Sequence, residues 1–193
     1  MNSHASATAP TVLNGVDVGA AVATITAVKT NEELAAFQFR VRNQWVEGTQ
    51  NRSTIQGFYG AGHEDVSRTS AFEYVSDEPH VLLGNNAGAN PGEFLLHALA
   101  GCITTTLVLH ATARGISLRK LSTEIEGNVD LCGALGLDES IPSEFLKIRV
   151  GLHVTADGTD EELDDLIAYA LVHSAVSNTI RKPVSLEVQH LRN

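Results

Sequence analysis

The hydrophobic positions along this chain change period several times, and each change predicts an element. Val16 to Val28 is expected to be helical. Thr30 followed by Glu33 fits the Ser/Thr-x-x-Glu capping box and predicts a new helical turn at Thr30. The period then drops to two. Phe37, Phe39 and Val41 alternate with Gln38, Arg40 and Arg42, which predicts a strand with one buried face. Thr54 to Tyr59, Ala71 to Val75 and His80 to Leu83 are weaker strands. Asn90 is placed to cap a long helix, with Pro91 at its first position, Glu93 closing the capping box and Gly115 stopping it. That helix spans about 24 residues, roughly 36 Å at the usual rise. It is apolar nearly all round, so it is expected to be covered on most sides. Two clean alternations follow. Thr123, Ile125, Val129 and Leu131 face one way in the first, and Leu146, Ile148, Val150, Leu152 and Val154 in the second. Thr159 with Glu162 opens a helix to about Ser174, and Val184, Leu186 and Val188 predict a last strand.

Strands, a long helix, two strands, a helix and a strand in that order predict an α+β fold with antiparallel sheet. At 193 residues the chain is close to one domain of common size. Neither a repeat nor a linker divides it. We expect residues 1–30 to be a mobile or helical N-terminal extension and 31–193 to be one domain.

Composition narrows the function classes. The 13 Lys and Arg against 23 Asp and Glu leave a formal net charge of -10, which disfavours nucleic acid and anionic membrane as partners. Phe94 to Ala113 carries no Asp, Glu, Lys or Arg and is long enough for a membrane span. His97, His110 and Thr104-Thr105-Thr106 would be costly in lipid, so a buried core helix is the expectation. Two cysteines, Cys102 and Cys132, are too few for a disulfide framework and wrongly spaced for zinc or a C-x-x-C motif. With no apparent signal segment at Met1 to Pro10, a reducing, cytoplasmic setting is expected. No histidine pair has metal-ligand spacing, and the chain has no phosphate loop, dinucleotide fingerprint or nucleophile elbow. Neither cofactor nor metal is expected.

Cys102 is the main chemical candidate. Its helical neighbours are Leu95, Ala98, Leu99, Thr105, Thr106 and Leu109. Composition alone reads it as a buried, inert thiol. The wider pattern points elsewhere. Asn90-Pro91, Leu95, Ala98, Ala100, Gly101 and Cys102 stand with eleven residues from Pro91 to Cys102. Gly115-Ile116, Glu126-Gly127 and Val176-Ser177-Asn178-Thr179 follow in order. Together these resemble the peroxidatic-cysteine family OsmC/Ohr over about residues 37 to 190. Trp45 to Tyr59 and Leu131 to Leu137 resemble a longer OsmC-like branch.

That resemblance implies an intertwined homodimer in which antiparallel sheets wrap two long helices. It implies a cysteine-dependent peroxidase acting on organic hydroperoxides, with Cys102 as the nucleophile. Two positions depart from the family. Its second cysteine corresponds to Ser174, which cannot form a disulfide, and its catalytic Glu corresponds to Gly92. Glu93 lies one step later, about 100° round the helix, in the capping box. The resemblance therefore implies recycling by an external thiol. The alternative is a catalytically eroded dimer that binds a small apolar ligand. A thiolate needs a nearby cation. Of Arg40, Arg42 and Arg52, the turn-like Gln50-Asn51-Arg52-Ser53 makes Arg52 the chosen candidate. Cys132 is the weaker candidate for a resolving thiol.

Overall fold

An Asn14-Gly15 dipeptide, both residues at positive φ (54° and 78°), turns the chain into a two-residue hairpin between β1 (Val12–Leu13) and β2 (Val16–Asp17). The computed structural model describes residues 11–192. The predicted extension over 1–30 thus lies partly outside the described residues, and its described part holds the β1–β2 hairpin and a helix. Asp17 accepts from the Ala20 N–H at 2.9 Å and caps α1 (Val18–Thr30). The helix starts two residues later than the sequence predicts because the cap is Asp17. Thr30 is not the cap of the next turn. It is still helical and donates its hydroxyl back to the carbonyls of Thr26 and Ala27. Asn31, in extended conformation, takes the capping role by accepting from the Glu33 N–H.

The described residues form two units, one ending at Leu95 and one beginning at Leu96. In the first unit, β3 (Arg42–Glu47), β4 (Gln50–Ile55) and β7 (Phe72–Ser76) form an antiparallel sheet in the order β3-β4-β7. Between β4 and β7, β5 (Phe58–Gly60) and β6 (His63–Asp65) make a hairpin. The strand predicted at Phe37 to Arg42 is corrected: the ladder begins at Arg42↔Thr54, and before it only Gln38 bridges to Tyr59. Phe37 stacks on Phe58 and Phe39 lies tilted against it, with ring centroids 6.3 and 5.8 Å away, yet Phe39 stays 74 % exposed. Thr54 to Tyr59 is split between β4 and β5 by Gln56-Gly57. His80 to Leu83 is no strand but a single 3₁₀ turn, closed by Leu83 in the left-handed region at φ 65°.

Asp77 explains that loop. It is 1 % exposed, and its carboxylate accepts from the Thr49 hydroxyl at 2.6 Å and from the N–H groups of Glu78, Asn85 and Ala87. The Thr49 hydrogen bond, helped by the three N–H groups, outweighs burial and holds the carboxyl below its ordinary range. Residues 77–87 are thereby gathered round one buried anion. Gly84 is required there, because a side chain would run into the Glu78 carbonyl.

The loop delivers the chain to α2 (Pro91–Ala113), whose start is as predicted. Asn90 accepts from the Glu93 N–H and Glu93 accepts from the Asn90 N–H, each at 2.8 Å. Gly115, at φ 72°, ends the last turn in the left-handed conformation. By length and mean hydropathy (1.6) the helix could cross a membrane.

In the second unit, β8 (Leu118–Asn128) and β9 (Lys147–Ala156) pair antiparallel over almost their whole length. They are joined through a one-turn helix, α3 (Leu131–Ala134). Asp130 caps α3 by accepting from the Cys132 N–H, which ends the predicted alternation at Asn128 rather than Leu131. α4 (Asp160–His173) begins at the capping box predicted for Thr159 and Glu162, and α5 (Ala175–Arg181) follows after one residue. Leu107 and Ala111 of α2 meet Leu166 and Ala170 of α4 at full burial. Ile116, Leu118, Leu121, Val154 and Ile167 pack round them. With Leu99 and Ile103 they show a stripe at four-residue spacing buried on α2, while Leu95 and Leu109 remain exposed. The predicted cover on most sides is thus met on one stripe in the single chain. The predicted last strand does not form among the described residues: 183–192 pair with no described strand, and Val184, Leu186 and Val188 are exposed.

Candidate functional site

Cys102 lies on α2 one residue before the buried Ile103, which leaves its thiol partly buried at the edge of the core stripe. Ser174 is the sole residue between α4 and α5, and it is fully buried. Core packing of Leu166 and Ala170 fixes α4, so Ser174 is fixed with it. Its hydroxyl donates to Cys102 Sγ at 3.2 Å, across 72 residues of sequence. The same oxygen accepts from the Ser177 N–H at 3.3 Å and so caps α5.

Opposing effects act on the thiol. Burial pushes it up, because an anion is costly away from water. The Ser174 hydroxyl, the Val176 and Ala175 N–H groups and the Thr106 hydroxyl push it down by stabilising the thiolate, and they prevail. The Thr106 hydroxyl also donates to the Cys102 carbonyl at 2.7 Å. The net result is a thiol below its ordinary range, opposite to the inert thiol that composition alone implies. Such a sulfur is nucleophilic and open to oxidation.

Each of the other sequence candidates has its own local partners or position. Arg52 is not in a turn; it lies within β4, exposed, and its guanidinium pairs with Glu73 at 3.0 Å. Arg40 makes a two-pronged ion pair with Glu64, at 2.9 and 2.6 Å. Cys132 is exposed on α3 rather than at a strand end, and both cysteines are free. Glu93 is occupied by its capping box. Among the described residues no cluster of His, Cys, Asp or Glu could hold a metal ion.

One group was missed at the sequence level. His110 and Arg114, on and just after α2, meet Asp165, Tyr169 and His173 of α4. The Tyr169 ring lies 4.7 Å from His110 and 4.2 Å from His173, Arg114 sits over Tyr169 at 4.9 Å, and Arg114 pairs with Asp165 at 2.6 Å. Burial, then His173 and Arg114, hold the His110 imidazole below the ordinary histidine range. The four-residue spacing of Asp165, Tyr169 and His173 on a capped helix was the available signal.

The profile of the OsmC-like protein family matches residues 84–189, more than half of the chain and the whole of the Cys102–Ser174 pair. The chain belongs to the OsmC-like family. No curated protein matches the sequence. Solved structures agree on the fold. An OsmC-like protein from Mycoplasma pneumoniae is similar at 18 % identity and a TM-score of 0.56, over 76 % of this chain and 89 % of that one. An organic hydroperoxide resistance protein OsmC from Legionella pneumophila is similar at 19 % identity and 0.50, over 74 % and 90 %. An organic hydroperoxide resistance protein from Elizabethkingia anophelis is similar at 20 % identity and 0.50, over 75 % and 90 %. At these identities the likeness establishes the OsmC-like α+β fold.

Proposed function

We propose that this OsmC-like protein is a cysteine-dependent peroxidase that reduces small organic hydroperoxides through Cys102 and is recycled by an external thiol. The observation that carries the reading is the Cys102 thiol held below its ordinary range by neighbouring donors, with the buried Ser174 hydroxyl at 3.2 Å. The names of the Legionella and Elizabethkingia relatives support the substrate class.

In the proposed reaction the Cys102 thiolate attacks one peroxide oxygen. The S–O bond forms as the O–O bond breaks, and the departing alkoxide takes a proton to leave as the alcohol. Cys102 becomes a sulfenic acid, and the peroxide has been reduced by two electrons. Ser174 holds no sulfur, so an incoming thiol condenses with the sulfenic acid, releasing water and leaving a mixed disulfide. A second thiol cleaves that bond, regenerating Cys102 and carrying the electrons away as an external disulfide. Arg52 is the proposed activating cation.

A homodimer belongs to this reading. Phe39, Trp45 at 70 % exposure, Leu95 and Leu109 are large apolar side chains that a second copy would cover. Sedimentation of the purified protein as a concentration-independent monomer would refute that part.

The activity is tested with cumene hydroperoxide and excess dithiothreitol. Cys102→Ser is expected to abolish peroxide consumption, and Cys132→Ser to leave it intact. Gly92 and Ser174, at the positions of the family's Glu and second cysteine, favour a second reading as a binder of a small apolar ligand. An intact mass showing Cys102 unmodified after excess hydroperoxide would select that reading over the enzyme.

A further inference from the structure

We infer that Ser174 is a positioning residue for the Cys102 thiolate: its buried hydroxyl, with its oxygen held by the Ser177 N–H, directs its one proton at Cys102 Sγ and keeps that sulfur reactive. The inference rests on the proposed role of Cys102 as the reacting thiol, and it adds what makes that thiol reactive in the absence of a second cysteine.

A serine hydroxyl has one proton to give and lone pairs to receive. Ser174 Oγ receives from the Ser177 N–H at 3.3 Å, so that contact uses a lone pair and leaves the proton free. Ser174 is 0 % exposed, so bulk water does not take the proton. Cys102 Sγ at 3.2 Å is its acceptor. A buried hydroxyl proton without an acceptor costs stability, and a thiolate is a better acceptor than a thiol. The pair therefore favours the ionised sulfur.

Geometry then explains why the donor stays in place. Ser174 closes α4 and caps α5 at once, with φ -76° and ψ 114°. Its backbone is held from both sides: by the core contacts of Leu166 and Ala170 on α4, and by the Asn178 amide of α5, which donates to the Val172 carbonyl at 2.7 Å. A side chain with a single rotatable bond to its oxygen, on a backbone fixed this way, has little freedom to turn from the sulfur. The lowered thiol agrees with this arrangement. The same position thus serves differently here: where the resembled pattern has a thiol that would trap oxidised sulfur, this chain has a donor that supports the anion and then leaves the oxidised sulfur to external thiols.

The test reads the thiol itself, independently of peroxide chemistry. In a full-length Cys132→Ser background, Cys102 is the only thiol, and the rate of its alkylation by iodoacetamide is followed against pH. Ser174→Ala is expected to raise the midpoint by about one pH unit, lowering alkylation below the midpoint about tenfold. Ser174→Thr, which keeps the hydroxyl, is expected to restore it. Asn178→Ala loosens the α4–α5 connection without touching the hydroxyl, and its midpoint is expected to match the parent. Far-ultraviolet circular dichroism confirms folding of each variant. A folded Ser174→Ala protein with an unshifted midpoint would overturn the inference. So would an equal shift in Asn178→Ala, which would show that Ser174 acts only through local structure. Either result leaves the hydroperoxide assay of Cys102→Ser to decide the peroxidase reading separately.

Discussion

Replacing Ser174 with cysteine puts a second sulfur where the hydroxyl now sits 3.2 Å from Cys102 Sγ. A disulfide needs about 2.05 Å, and the longer C–S bond closes part of the difference, so a small side-chain rotation suffices. The bond would join residues 72 apart in sequence. Chain-entropy arithmetic for a loop of that length gives about 4 kcal/mol of stabilisation. Against it stands the lost cap on α5, about 1 kcal/mol when a serine cap is removed. The net gain is about 3 kcal/mol, a rise in Tm of roughly 10 °C for a chain of this size. The assay treats the Ser174→Cys, Cys132→Ser protein with one equivalent of cumene hydroperoxide. Intact mass is expected to show loss of two hydrogens, where the Cys132→Ser parent gains one oxygen and, with excess peroxide, two. The melt is then compared with and without reductant. Two free thiols persisting in folded, oxidant-treated protein would refute the reasoning. A crosslink that runs as a dimer on a non-reducing gel would also refute it, because the contact lies within one chain.

Three other outcomes follow from the same contacts. Glu93→Gln keeps the capping box, since Gln serves at that position, and is expected to cost at most about 1 kcal/mol with hydroperoxide turnover unchanged; a large rate loss without a change in melting would show that Glu93 acts on substrate. Asp77→Asn places an amide among donors that require an anion, so the urea midpoint should fall. Because the folded Asp77 is held low, its stabilisation is present above the ordinary carboxylate value of about 3.9 and lost as pH falls through the folded value, and the variant should lose that acid dependence. His110 is also held low, so neutral His110 adds stability above the ordinary imidazole value of about 6.5, lost as pH falls through the folded value. Urea midpoints measured from pH 8 to pH 5 should decline less in His110→Gln, and an equal decline in that variant would refute the role given to His110.

What the sequence made legible was governed by local rules. The capping boxes at Asn90 and Thr159 depend on residues three apart, and both were found where expected. The β8–β9 ladder was visible because each strand alternates over many residues with one face in water. Family likeness was readable because the spacing from Pro91 to Cys102 is set by one uninterrupted helix. What escaped depends on distant partners. Nothing near Ser174 in sequence announces that its hydroxyl meets a sulfur 72 residues away, although the family pattern placed a partner of Cys102 there. The Asp77 carboxylate gathers donors from Thr49 to Ala87, a set that no short window contains. Thr30 lost the cap to Asn31 because both types suit the position and only backbone conformation decides between them.

Two of the mispredicted strands share a cause. Phe37-Phe39-Val41 and Val184-Leu186-Val188 alternate as cleanly as β9, yet among the described residues neither enters a ladder, and their side chains stay exposed. Alternation records which side chains gain from leaving water. It does not record which surface removes them from it. In β9 the cover comes from α2 and α4 of the same chain, so Val154 packs beside the Leu107–Leu166 core. At Phe37 to Val41 the rings of Phe37, Phe39 and Phe58 cluster and still leave Phe39 mostly in solvent. Two segments that keep a two-residue apolar period without cover among the described residues suit the cover that the proposed homodimer would supply. Leu95 and Leu109, exposed on an otherwise apolar α2, add the same pattern at helical spacing. These are the positions at which a second copy would give the proposed homodimer its buried surface. They are also where polar substitutions, such as Phe39→Ser or Leu109→Gln, should weaken self-association before they weaken the β8–β9–α4 core.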